Sequence, residues 1–374
     1  MLINKLKNVV IVGGGNLGVS LAVDASQNGG LSVTLLTSKA PEINKSLLKK
    51  IDLNGNKTLA KEVVVTADYN EAFSDAHIVL VTLPSFLIKE FVNKVKKYNF
   101  SVLIYMPGFG GKEFVSKDLL QRNIVIAGLD RSPYIARLLD ANTVRSQIKA
   151  SFRIGCLDSS RTQGVADLIQ RILKTKCVAL PNYLTVSFTP SNPILHTARL
   201  YSLFKNYNLQ TILPDQIKFY ATWNDESSKL LLDMDAELQA MCAALKELDL
   251  SQVIPLTVHY ESEDYLALTK KISSIESFKN IESPLKKVQD GFKIDEKSRY
   301  FEEDFNFGLC ILKGYAEILG ISTPNFDKVL LWYQDLMSKE YLVESEFIGK
   351  SLLQTAIPQN YGIKNKVDLL EFYS

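Results

Sequence analysis

The sequence predicts two successive parts. An α/β N-terminal domain, a doubly wound and mostly parallel sheet, is followed by an all-α C-terminal domain. Three observations carry this. Short, continuously apolar runs alternate with helical patterns in the first half, and a triple-glycine turn follows the first of them. Beyond Pro181 the strand runs stop and long amphipathic stretches take over, so the division is placed at 1–181 and 182–374.

The runs Val9–Val12, Ser32–Leu36, His77–Leu83, Ser101–Tyr105 and Asn123–Ala127 are apolar on both faces. Such strands suit a sheet covered by helices on either side. Between them lie helical patterns such as Ser85–Lys97, where Phe86, Phe91, Val92 and Val95 alternate with lysines. Strand and helix in alternation imply right-handed βαβ units. In the second half, Leu231, Met234, Leu238, Met241, Leu245 and Leu248 form a stripe that predicts a core-packed helix over Asp225–Leu248. Asn206–Pro214 and Lys279–Lys293 are polar and poorly periodic, and read as loops.

Gly13-Gly14-Gly15-Asn16-Leu17-Gly18 places glycines at GxGxxG spacing directly after a strand and at the head of a helix over Asn16–Ser26. In that setting the spacing marks a Rossmann dinucleotide site. The first glycine makes the turn, the second admits the pyrophosphate, and the third lets helix and strand pack closely. Asn16 and Leu17 join the candidate cofactor set. The second strand ends in Thr37-Ser38-Lys39, with no acid to bind a ribose 2′-hydroxyl or repel a 2′-phosphate. Two hydroxyls and an ammonium favour NADP(H) over NAD(H).

Composition sets the remaining bounds. With 43 Lys plus Arg against 41 Asp plus Glu, the formal charge of +2 suggests neither a nucleic-acid nor a membrane-surface partner. No stretch approaches the roughly 18 apolar residues of a membrane span, and a cytoplasmic protein is expected. Cys156, Cys177, Cys242 and Cys310 form no CxxC pair and have no histidine at ligand spacing, so they read as reduced core thiols, with no metal site. Of the three histidines, His77 lies in a strand run and reads as a core residue, and His259 as a surface one.

Several further segments together resemble the octopine/nopaline (opine) dehydrogenase family. Asp75–Pro84 is similar to its fourth-strand segment, whose end, Leu83-Pro84, would lie beside the cofactor. Pro107-Gly108-Phe109-Gly110-Gly111 resembles its glycine-rich loop, and Pro133-Tyr134-Ile135-Ala136-Arg137 its PYxxR segment. Asn192-Pro193-Ile194-Leu195-His196 resembles its NPxxH motif. Arg299–Asp304 with Gly308-Leu309 resembles RYxxED…GL, and Gly320–Pro324 resembles GxxTP.

The resemblance implies a reductive condensation of an amino acid amine with a 2-oxo acid. His196 would be the general acid/base, Asp304 would orient it, and Arg299 would fork onto a substrate carboxylate. Imidazole, with a pKa of about 6.5, suits that proton work. Arg131 and Asn192 would bind substrate. The segment Asp130-Arg131-Ser132 and Phe109, where the family commonly carries arginine, depart from the pattern near the expected 2-oxo acid pocket. The His196–Asp304 pair is expected to face the nicotinamide across an interdomain cleft. A homodimer is left open. Competing readings are a ketopantoate reductase- or glycerol-3-phosphate dehydrogenase-like reductase, whose chemistry rests on a lysine, and a non-enzymatic dinucleotide sensor.

Overall fold

The computed structural model describes residues 6–189 and 192–374. The described residues form two compact units, one of residues 6–189 with 372–374 and the other of 192–371.

The first unit is built on eight strands of a main sheet and four of a smaller one, in chain order β1 (Asn8–Val12), β2 (Ser32–Leu36), β3 (Lys49–Ile51), β4 (Lys57–Leu59), β5 (Val63–Thr66), β6 (Ile78–Val81), β7 (Val102–Tyr105), β8 (Val125–Leu129), β9 (Tyr134–Leu138), β10 (Thr143–Ile148), β11 (Ser151–Cys156) and β12 (Lys176–Ala179). The main sheet runs β12-β11-β8-β7-β6-β1-β2-β5. All neighbours are parallel except β8 and β11. From β1 the order departs in both directions, to β2 on one side and β6 on the other. The strand order therefore reverses at β1, where a doubly wound sheet opens its ligand crevice. Ile11, Leu35, Leu80, Ile104 and Ala127, one from each of five strands, are fully buried.

The smaller sheet, β4-β3-β10-β9, was not foreseen. Its strands read KKI, KTL, YIARL and TVRSQI, too short or too polar to stand out as apolar runs. The PYxxR segment supplies its edge β9. Tyr134 donates its hydroxyl to Asp24 on the helix Asn16–Ser26 at 2.8 Å, and Lys50 of β3 pairs with the same aspartate. His77 corrects its core assignment. β6 starts only at Ile78, and the His77 side chain, 38% exposed, accepts a bond from the Asn8 N–H. Phe86, expected on a buried face, is exposed ahead of the helix Ile88–Val95.

The first unit extends past residue 181 because the helix Tyr183–Phe188, capped by Asn182, packs on β8 and β11. Gly155 of β11 makes this possible: a Cβ there would lie 2.6 Å from the Asn182 carbonyl oxygen. The last residues return to the first unit. Tyr373 donates to the buried carboxylate of Glu113 at 3.0 Å, which also accepts from Ser187.

In the second unit the helix Asp225–Ala244 packs against Asn192–Phe204 and Tyr265–Ser274. Asn224 caps it by accepting from Ser227 N–H at 3.0 Å. It stops short of Leu248 because Leu245 leaves helical geometry, with ψ at +56°, while its side chain stays buried. The unit is not wholly helical. A hairpin of β13 (Leu285–Val288) and β14 (Gly291–Ile294) lies within the segment read as a loop. Lys286, Lys287 and Lys293 mask its pattern in the sequence.

Candidate active site

The dinucleotide end of the molecule is shaped by what glycine lacks. Gly13 takes φ of +111° as β1 turns away, which a side chain would resist. A Cβ on Gly18 would fall 1.6 Å from the Gly13 carbonyl oxygen, so only glycine lets the helix start this close to the strand. A Cβ on Gly15 would meet nothing within 4 Å. The space above Gly15 is therefore open, at the head of an eleven-residue helix with no acid in its first turn. Open backbone, uncapped N–H groups and the positive helix end fit a pyrophosphate.

The neighbouring predicted residues divide. Asn16 spends its side-chain oxygen on Leu138 N–H at 2.9 Å, tying the helix to β9, and Leu17 packs on the core. Thr37 is buried against Gly14 and accepts from Lys39 N–H at 3.2 Å, so its hydroxyl shapes the turn. Ser38 and Lys39 stand exposed beyond it. Leu83 and Pro84 are half-buried after β6. Lys112 donates to the Pro107 carbonyl at 3.0 Å, fastening the glycine-rich loop, with Phe109 beside its ammonium. Arg131 follows the buried Asp130, which accepts from Arg153 at 2.8 Å. Burial, and then the Arg131 charge, hold Lys149 below the usual lysine value, so two cations share this corner.

In the second unit the NPxxH helix and the segment after Arg299 meet. His196 Nδ1 lies 2.7 Å from Asp304 Oδ2, although 108 residues separate the two. Two local features bring them together. Residues Phe305–Leu309 form a π turn, with Leu309 N–H donating to the Asp304 carbonyl at 2.8 Å. Such a turn re-aims the side chain at its head and recurs at functional sites. Gly308 then lets that turn approach the helix Asn192–Phe204, because a Cβ there would sit 3.0 Å from the Pro193 Cβ. Burial pushes the Asp304 carboxyl above its usual value, while the neighbouring His196 pulls it back. A carboxylate on Nδ1 fixes the tautomer and leaves Nε2 for proton exchange.

The sequence reading missed what holds the other nitrogen. Tyr220 places its hydroxyl 2.8 Å from His196 Nε2. Burial raises that phenol well above its usual value. Tyr220 stacks on Phe278 at 4.4 Å, and Tyr300 lies 4.7 Å from the imidazole ring, its own phenol pushed up to about 12 by burial and then by Asp304. Arg199, three residues beyond His196 and fully buried, donates to the carbonyls of Phe219 at 2.9 Å and Thr222 at 2.6 Å. It clamps the backbone on either side of Tyr220.

Arg299 does not join this cluster. Its side chain is 70% exposed, and its fork is taken by Glu303, with Nε donating at 2.7 Å. Asn192 is exposed at the head of its helix. Cys156, Cys177, Cys242 and Cys310 are free thiols. Among the described residues no helix is long and apolar enough to cross a membrane.

A doubly wound sheet with this glycine turn at its switch point, joined to a helical unit, is the architecture of a nicotinamide-dependent dehydrogenase. More particularly, the helical part of the chain carries an octopine/nopaline dehydrogenase domain, and the chain is an opine dehydrogenase-like NAD(P)-dependent oxidoreductase acting on the CH–NH group. The NAD/NADP octopine/nopaline dehydrogenase alpha-helical domain matches residues 179–337, and the NAD-dependent glycerol-3-phosphate dehydrogenase N-terminus matches residues 8–126. The chain is 27% identical to the tauropine dehydrogenase of Arabella iricolor, covering 97% of this chain and 99% of the relative. It is 26% identical to the opine dehydrogenase of Haliotis discus hannai, covering 97% and 98%. Among solved structures, octopine dehydrogenase with NADH and L-arginine shares the fold at a TM-score of 0.84, with 23% identity over 97% of this chain and 98% of that one. NADP+-bound yersinopine dehydrogenase does so at 0.70, with 11% identity over 98% and 100%.

Proposed function

We propose that the chain condenses the amine of an amino acid with the carbonyl of a 2-oxo acid and reduces the product to a secondary-amine dicarboxylate. The observation that carries this reading is His196, held on Nδ1 by buried Asp304, with the rings of Phe219 and Tyr300 packed on its imidazole. Condensation of an amine with a ketone passes through a carbinolamine, whose hydroxyl leaves only if protonated. A carboxylate-supported imidazole can give that proton to the leaving hydroxyl and accept it back in the reverse reaction. The bound dinucleotide supplies the hydride, and the Gly13–Gly18 cradle is the part of this chain that holds it. Relatives whose names specify tauropine or octopine, and a relative solved with NADH and L-arginine, support the substrate class.

Arg131, beside Lys149, is the cation we assign to a substrate carboxylate, and Asn192 a further substrate contact. Arg299 would have to leave Glu303 to serve there. The exposed Ser38 and Lys39, with no acid at the end of β2, support NADP(H) over NAD(H). Lys39→Ala should narrow the NADPH-over-NADH preference by about 1.5–3 kcal/mol, the worth of a charge-assisted bond.

The test is a matrix of amino acids against 2-oxo acids, followed by NAD(P)H absorbance. The reading expects oxidation that requires both substrates together. Oxidation sustained by a 2-oxo acid alone would assign a simple ketone reductase instead.

A further inference from the structure

We infer that Tyr220 is the proton relay between His196 and the substrate, and that Arg199 is the residue that positions it. This rests on the condensation reading above. Asp304 occupies Nδ1 and the Tyr220 hydroxyl occupies Nε2, so both ring nitrogens are engaged. A proton bound for the substrate from Nε2 meets Tyr220 first.

Tyr220 is poorly built for swinging aside. It is 5% exposed, stacked on Phe278, and parallel to Trp223 at 6.0 Å. Arg199 holds the carbonyls on both flanks of the residue, with further bonds to the hydroxyls of Thr222 at 2.8 Å and Ser227 at 3.1 Å. A fully buried arginine is expensive unless its donors are satisfied, and here they are spent on the backbone that carries Tyr220. A phenol buried this deeply does not rest as phenolate at neutral pH. It can pass a proton only by gaining one as it gives one away.

The step is therefore concerted. Imidazolium Nε2–H donates to the Tyr220 oxygen, while the Tyr220 O–H proton moves to the carbinolamine hydroxyl. That C–O bond breaks and its electron pair leaves with water, as the nitrogen lone pair forms the C=N bond of an iminium. Tyr220 ends as the neutral phenol it began as, His196 ends neutral, and no redox change occurs before hydride delivery.

The test compares wild type, Tyr220→Phe and His196→Ala, with kcat measured across mixtures of light and heavy water. Tyr220→Phe keeps the stacked ring and removes only the hydroxyl. The relay predicts a kcat loss of roughly tenfold or more, unchanged cofactor affinity, and a curved proton inventory in wild type that becomes linear in Tyr220→Phe. A Tyr220→Phe variant with wild-type kcat, or one that is slow but still curved, overturns the relay. Should that variant fail to fold, a linear inventory in wild type does so alone. Near-normal activity in His196→Ala would overturn the relay by removing His196 from the proton path, whereas NAD(P)H oxidation that needs no amine would sink the condensation reading itself, whatever Tyr220 does.

Discussion

Gly308 lies against Pro193 so closely that an added Cβ would stand 3.0 Å from the proline Cβ. The contact joins two distant motifs, and it is what seats the Asp304 turn beside the His196 helix. Alanine at 308 would push the π turn outward by a few tenths of an ångström. The expected result for Gly308→Ala is a kcat loss of up to about 10²-fold, the cost of small misplacement in a reacting pair, with dinucleotide affinity unchanged. Wild-type kcat in that variant would show that the contact is only packing.

The glycine turn makes a paired prediction. Gly18→Ala puts a Cβ into the Gly13 carbonyl at 1.6 Å, so it should lower Tm sharply or prevent folding. Gly15→Ala puts a Cβ into open space, so Tm should hold while dinucleotide affinity, read by fluorescence titration, falls. Equal behaviour of the two variants would mean that the open space above Gly15 is not the pyrophosphate site.

Asp235 gives a pH-dependent test of the helical unit. It is buried and accepts from Leu256 N–H at 2.8 Å, and burial raises its carboxyl above the usual 3.8. A raised folded-state pKa means that the stabilisation is full below the unfolded value and is lost as pH climbs through the folded one. Asp235→Asn keeps an acceptor and carries no charge. Its Tm relative to wild type should therefore improve on going from about pH 3 to about pH 7. A constant difference would contradict the buried-charge account.

Much of the first unit was legible because strands buried on both faces announce themselves as apolar runs, and the helix Asn16–Ser26 was read to its ends. The smaller sheet was not, because the runs Lys49–Ile51 and Thr143–Ile148 are polar and lean on the helix that carries Asp24 rather than on a core of their own. The hairpin of β13 and β14 was hidden by its lysines. Of the candidate site, the meeting of His196 with Asp304 was legible through the motifs around them. Tyr220 was not, since it lies in an irregular segment with no motif and is brought to the ring by Arg199. The aromatic run Phe219, Tyr220 and Trp223, with a buried arginine on the histidine helix, is the pattern that marks it. Arg299, read from its motif as a substrate fork, pairs here with Glu303, four residues on.

The measurement that bears most directly on the central claim is single-turnover kinetics of wild type, His196→Ala, Asp304→Asn and the double variant. If the pair acts as one acid/base unit, His196→Ala should cost roughly 10²–10⁴-fold in kcat. Asp304→Asn should cost a large share of that, and the double variant should be little worse than His196→Ala alone. Cofactor affinity should stay level throughout. Losses that simply multiply, or a His196→Ala variant within about threefold of wild type, would show that the 2.7 Å contact between these residues is structural and that the proton work is done elsewhere.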